Sequence, residues 1–315
     1  MAAVFGRNSF ILLGEESTWG TPVSTTVTNR VISTALTRTQ ERSQTTFLST
    51  GDAGYSRGTF DGFEIAGGTI EMPIYYENTG MILKAALGDV TNSGPGPYTH
   101  VYEPALTLPS LTINNQRGSG QSEKFEGCIV SSMSLSIEAG GEMTASFEVI
   151  AQTAGARTSA VTPTYNTTAR QVLHFEADQL SFNGTNYDLR SLTLNVDNKV
   201  DRRNFLGSKL TAEPATVDIR EVTLECSCDV DSASEATLYN EQIAGNSGTV
   251  AITFTNSDSD SFKIELFNAQ LTAYDDAIST VGRLERSFSF QGFRSSSNPP
   301  VKITIVNQQT TGIAN

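Results

Sequence analysis

The chain has 315 residues, enough for two domains of ordinary size, and no apolar run long enough to span a bilayer as a helix. Net charge is −13 with no basic stripe: residues 1–155 hold 15 acids and 8 bases, residues 156–315 hold 19 and 13. That balance disfavours tight nucleic-acid binding, which rests on phosphate neutralisation. The three cysteines and two histidines, scattered along the chain, offer neither a disulfide framework nor a zinc ligand set.

Residues 1–27 read as an arm with short apolar patches, lacking the basic start and cleavage site of a secretory signal. Residues 28–153 follow as a first β-rich unit. Within it Gln44–Gly67 is rich in glycine, carries Phe47, Leu48, Tyr55, Arg57, Phe60 and Phe63, and reads as a long functional loop. Gly68–Met72 is a strand before a helix over Glu77–Gly88, where Ile82, Ala85 and Ala86 share a face and Gly88 suits the left-handed stop. Thr91–Pro109 reads as an extra loop, and His100 in it as an ordinary strand residue rather than a general base. Met133, Leu135 and Ile137 alternate with serines, and after the Ala139–Glu142 turn Ala145, Phe147 and Val149 alternate again. That is a hairpin with one wet face.

Residues 154–172 read as a linker, and residues 173–294 as a second copy of the first unit. In the second copy Leu180–Tyr187 is a hairpin turning at Asn183-Gly184, and Asp231–Gly245 a helix opened by a capping box. Laid over each other, Thr46–Leu48 matches Asn204–Leu206, Gly68–Met72 matches Glu221–Glu225, and Leu108–Asn114 matches Thr249–Thr255. Phe125 matches Phe262, and Phe147 matches Phe288. The counterpart of the first long loop is Arg202–Asp218. Residues 295–315 form a tail whose strand, Val301–Ile305, either pairs with a neighbouring subunit or folds back on its own chain.

No catalytic signature is present: there is no nucleophile elbow, phosphate loop or metalloprotease helix, and Asp258 and Asp260 lack the later Glu of a calcium loop. The expectation is a non-enzymatic, mostly β chain with no cofactor, no catalytic residue and no metal.

Several segments taken together resemble one family. They are Gly14–Pro22 (Gly-Glu-Glu-Ser-Thr-Trp-Gly-Thr-Pro), Gly67–Glu71, Leu83–Gly88, Gly94–His100, Leu108–Thr112, Gly127-Cys128, Ser132–Leu135 and Glu138–Gly141. In this order, over roughly residues 10–153, they are similar to the tail tube proteins of siphophages. The resemblance implies two tandem β-sandwiches, each flanked by one helix. It implies rings that stack into a tube in the virion tail, assembled in the host cytoplasm, with double-stranded DNA passing through without tight binding. Two copies per chain imply a trimeric, pseudo-sixfold ring whose partners are itself and other tail proteins at the tube ends, with no membrane. Ring stacking then falls to Phe47, Leu48, Tyr55, Arg57, Phe60, Phe63, Phe205 and Leu206. The arm contact falls to Trp19 and Pro22, with Trp19 either capping its own core or anchoring in a neighbour. Glu138, Glu142 and Glu148 are expected to face an acidic bore. The alternatives are a tail terminator or distal tail protein of related fold, or a glycan-binding β-sandwich.

Overall fold

The computed structural model describes residues 6–44, 58–163, 165, 172–229, 234–256, 260–275 and 285–310. After a 3-10 turn at Gly6–Asn8 come β1 (Phe10–Glu15), β2 (Val27–Arg30), β3 (Ser33–Thr34), β4 (Thr37–Gln44) and β5 (Thr59–Pro73). Helix α1 (Gly80–Leu87) leads into β6 (Gly88–Ser93), β7 (Tyr98–Pro104), β8 (Leu111–Arg117), β9 (Gln121–Glu138), β10 (Thr144–Ala151), β11 (Thr153–Ala154) and β12 (Thr158–Ser159). The second half begins with β13 (Leu180–Phe182), β14 (Thr185–Tyr187), β15 (Leu189–Asp197), β16 (Val200–Arg203), β17 (Ala212–Thr216) and β18 (Glu221–Asp229). It continues with α2 (Ser234–Ala244), β19 (Ser247–Thr255), β20 (Ser261–Tyr274), β21 (Glu285–Gly292) and β22 (Val301–Asn307).

An antiparallel sheet runs through both halves. Its order is β3 and β4 together, then β5, β10, β9, β15, β18, β21 and β20. The join between halves is the β9–β15 ladder, which sets Met133 opposite Val196, Leu135 opposite Leu194 and Ile137 opposite Leu192. All six of these side chains are buried. The alternation read from sequence is therefore a half-buried antiparallel ladder, with apolar residues on one face.

The long strands β9 and β20 each leave this sheet at their N-terminal ends to enter a second layer. In the first half that layer runs β2, β1, β8, β9, with β11 and β12 on the far side of β9. In the second half it runs β14, β13, β19, β20, β22, β7, β6. A register shift in both long strands, at Ser131 and at Thr272, lies near the change of layer, as expected where a bulge bends a strand. Helix α1 is apolar almost all round and accordingly buried. Lys84 alone emerges, its Nζ donating to Glu15 Oε1 at 2.5 Å. The helix starts at Gly80 rather than Glu77 because Asn78 is left-handed, with φ 68°, and breaks the helical path.

Three segments differ from the sequence reading, and a fourth takes one of the two courses left open for it. Within the expected arm, Phe10–Glu15 is not free: it is β1, buried and paired on both sides. Part of the linker pairs with β9 through β12. Thr91–Pro109 contains a hairpin partner, β7, and is not a loop. The C-terminal strand β22 folds back on its own chain, filling the space between β20 and β7. Its far end is fixed by buried His100, whose Nδ1 lies 2.7 Å from Asn92 Oδ1 and whose Nε2 lies 2.9 Å from Asn307 Oδ1. Asn307 Nδ2 in turn donates to the Tyr76 carbonyl.

Ending the chain at Pro300 should strip both neighbouring strands and lose buried Val301, Ile303 and Ile305. At about 1.5–3 kcal/mol per buried side chain, the melting temperature should fall by at least ~10 °C, or the protein should aggregate. Calorimetry showing an unchanged melt would contradict the intrachain docking.

Candidate functional site

The eight-strand sheet has one face on the core and the other in water. The wet face is built from hydroxyls, amides and carboxylates at alternate positions. Ser132, Ser134 and Ser136 on β9 stand opposite Asp197, Asn195 and Thr193 on β15. Ser134 Oγ donates to Asn195 Oδ1 at 2.7 Å, Ser136 Oγ lies 3.3 Å from Thr193 Oγ1, and Ser191 Oγ lies 2.6 Å from Ser227 Oγ. These short polar pairs bridge neighbouring strands without building height above the sheet.

Acids are spread across this face: Glu71, Glu138, Glu148, Asp197, Glu221, Glu225, Asp229, Asp275 and Glu285, from β5 to the end of β20. Two cations sit among them, each straddling two carboxylates. Lys199 Nζ lies 2.8 Å from Asp197 and 2.9 Å from Glu221, and Arg190 bonds Asp229 and Glu285. Hydrogen bonds donated to Asp197, and then to Glu221, hold the Lys199 ammonium above its ordinary range. Burial works against Asp197, yet Lys199 keeps its carboxyl below the usual range. Glu138 is exposed at the end of β9 and Glu148 on β10, so both lie on this face. Glu142 sits beyond the ladder at the hairpin end, its backbone paired with that of His174.

In both segments expected to be long loops, the described residues include paired strands. Thr59–Gly67 is strand, paired with β4, and β16 pairs with β17. Alternation failed to show β4 because seven of its eight residues are exposed, leaving neither face apolar. The two hairpins meet. Glu64 N–H donates to the Lys209 carbonyl at 2.8 Å, Lys209 Nζ lies 2.8 Å from Asp61 Oδ2, and Arg202 donates to the Ala66 carbonyl. The Lys209 hydrogen bond and charge hold the Asp61 carboxyl below its ordinary range, so this tie is intact at neutral pH and opens only in acid. Phe60 (57% exposed), Phe205 (52%) and Leu206 (fully exposed) stand out from this pair, with Phe63 half-buried beside them. Phe47, Leu48, Tyr55 and Arg57 lie outside the described residues, as does Asp258.

The Trp19 loop is organised by a residue that sequence reasoning passed over. Buried Glu16 accepts from Gly20 N–H at 2.9 Å, Ser110 Oγ at 2.8 Å, Thr112 Oγ1 at 2.9 Å and Gly127 N–H at 2.9 Å. The Glu15-Glu16 pair gave no hint, because only the fold brings three distant donors to one carboxylate. Trp19 lies half-buried on Gly127, where a Cβ would come within 3.2 Å of the indole, and Pro22 is exposed nearby. Gly127 has φ 63°, a left-handed value that glycine adopts without strain.

Among the described residues, no helix is long and apolar enough to cross a membrane. A family model described as phage tail tube protein matches residues 6–292. No curated protein matches the chain.

Glu16→Ala strands four buried or half-buried donors at once. The cost of orphaned donors predicts a loss of about 3 kcal/mol, seen as a lower denaturant midpoint at unchanged slope. A loss under ~1 kcal/mol would show that water replaces the carboxylate and that Glu16 does not organise the loop.

Proposed function

The chain belongs to the phage tail tube protein family, and we propose that three copies close into a pseudo-sixfold ring whose wet sheet face lines the bore. Membership makes it a component of the virion tail that self-assembles into a tube and meets other tail proteins. The ring reading rests on one observation above all: an eight-strand antiparallel sheet with a continuous polar face and no strand, among the described residues, along the outer side of β4 or the C-terminal end of β20.

Each half supplies four strands in the same order, with β3 and β4, β5, β10 and β9 answering to β15, β18, β21 and β20. This supports reading residues 28–153 and 173–294 as copies joined by 154–172. Three chains would supply twenty-four strands. With strands ~4.8 Å apart and tilted ~40°, the barrel would measure roughly 48 Å between facing backbones. That is wide enough for a duplex to pass, and barrels of sixteen to eighteen strands already hold a channel.

The carboxylates of the wet face would then make the bore acidic and repel the phosphates, so that double-stranded DNA slides through without being held. Glu138 and Glu148 would line this bore, with Glu142 at its rim. The exposed tips carrying Phe60, Phe205 and Leu206, with the 45–57 segment, would stack one ring on the next. The Trp19–Pro22 loop would contribute to subunit contacts. In this reading the tube is that of a siphophage, assembled in the host cytoplasm and used for genome delivery.

Purified chain viewed by negative-stain electron microscopy, with the mass of the smallest ring measured alongside, should give hollow rings or tubes of three chains. Rings of six would keep the tube and overturn the trimer; a monomer that never assembles would overturn the assembly itself. Virions carrying Glu138→Lys, Glu148→Lys and Glu225→Lys together should build normal tails but release DNA more slowly, most clearly at low salt, where charges act furthest. Release at the normal rate would contradict the acidic-bore reading.

A further inference from the structure

We propose that neighbouring copies are joined by β4 of one chain against the C-terminal part of β20 of the next, in a register copied from the β9–β15 join inside the chain. This rests on the ring reading above and specifies its seam.

The internal join supplies the template because the two halves share backbone irregularities, not just strand order. In β9 the ladder to β10 skips Ser131, and Gly127, four residues earlier, has φ 63°. In β20 the ladder to β21 skips Thr272, and Asn268, four residues earlier, has φ 50°. Two residues beyond the skip, Met133 stands opposite Phe147 and Tyr274 opposite Phe288. Met133 and Tyr274 are therefore equivalent. The same register sets Phe125 against Leu266 rather than against Phe262, correcting that sequence match.

The outer strand follows likewise. Phe147 stands opposite Ile70 and Phe288 opposite Cys226, so Ala66 answers to Val222, four residues before each, and Gly68–Met72 answers to Leu224–Cys228 rather than to Glu221–Glu225. Ala66 faces Arg38 and Val222 faces Val196, which makes Arg38 the equivalent of Val196. Since Val196 stands opposite Met133 inside the chain, Arg38 of one copy stands opposite Tyr274 of the next. Thr39 then meets Ala273, and Gln40 meets Thr272.

Hydrogen-bond direction gives an independent check. Inside the chain Asn198 N–H donates to the Ser131 carbonyl at 2.9 Å, which makes Asn198–Ser131 and Val196–Met133 the bonded pairs of that ladder. Their equivalents must turn their backbone groups outward for the copied register to work. Ala35 N–H donates inward to the Thr69 carbonyl, and Asp275 N–H donates inward to the Ser287 carbonyl. Bonding direction alternates along a regular strand, so Arg38 and Gln40 on one edge, and Tyr274 on the other, point outward. Side-chain faces agree too: Thr37 and Thr39 continue the wet face on one side, and Ala273 and Asp275 on the other. A second copy of this chain is thus the partner that both edges fit, and β4, exposed on both faces at almost every position, is the strand that needs one.

The test is Thr39→Cys with Ala273→Cys, a facing pair with Cα atoms expected ~4.5 Å apart, within disulfide range. The native thiols are buried, and burial pushes Cys128 and Cys226 well up, so they stay inert. Mild oxidation of assembled protein should give a reducible ladder ending at the ring size. Neither single-cysteine variant, nor Thr39→Cys with Asp275→Cys, should do so at a comparable rate. Normal tubes without the cross-link, or faster linking in the shifted pair, would overturn the register while leaving the tube reading intact. If the wild-type chain never assembles, the tube reading fails first and the seam falls with it. Gln40→Pro covers the case in which the cysteine variant misfolds: it removes an outward N–H for which the described residues supply no backbone acceptor. It should leave the monomer melt unchanged and raise the concentration needed for rings at least ~10-fold. Rings forming as readily as in wild type would overturn the proposal.

Discussion

The architecture depends on satisfying strand edges. A strand at the border of an antiparallel sheet presents a row of backbone donors and acceptors that must meet water or another strand. Most of the chain's connections can be understood as ways of covering them. β15 covers the outer side of β9 and joins the two halves. β22 returns from the end of the chain to cover β20 and β7 together, and β12 shields the N-terminal end of β9. Buried His100, held between Asn92 and Asn307, secures the closure made by β22. Within the eight-strand sheet, β4 on one flank and the end of β20 on the other are the borders along which no described strand runs.

The same sheet separates two chemistries by alternation. On its dry face Met133, Leu135 and Ile137 meet Val196, Leu194 and Leu192 under the helices, and this packing supplies the stability. On its wet face, hydroxyls and amides link strand to strand with side chains too short to project, while carboxylates outnumber the cations set among them. A surface of that kind is flat and polar, and its net negative charge repels polyanions, as the proposed bore requires. The helices are kept to the dry side, and α1 is buried so fully that it contributes to the core rather than to any outer surface.

Much of this was legible in the sequence where burial leaves a mark. The β9–β10 hairpin showed because one of its faces is dry, the Asn183-Gly184 turn because both residues take positive φ, and the helices because each ends at a left-handed glycine. β4 escaped notice because a strand waiting for a partner is bare on both faces and has no apolar period. β5 was read only from Gly68 onward, with Gly67 given to the loop, because glycines interrupt a strand pattern. In the fold they sit mid-strand, where a Cβ would strike the Val149 and Ala35 carbonyls. Glu16 and His100 were opaque for a different reason, since their partners lie up to two hundred residues away in sequence and come together only in the folded chain.

The most direct measurement is a helical reconstruction of the assembled tube by electron cryomicroscopy, at a resolution that traces strands. A closed barrel of three chains per ring should appear, with Ser134, Asn195 and Glu225 facing the lumen and both helices of each chain outside it. A ring in which this polar face points outward, or in which six chains are needed to close the wall, would contradict the arrangement proposed here.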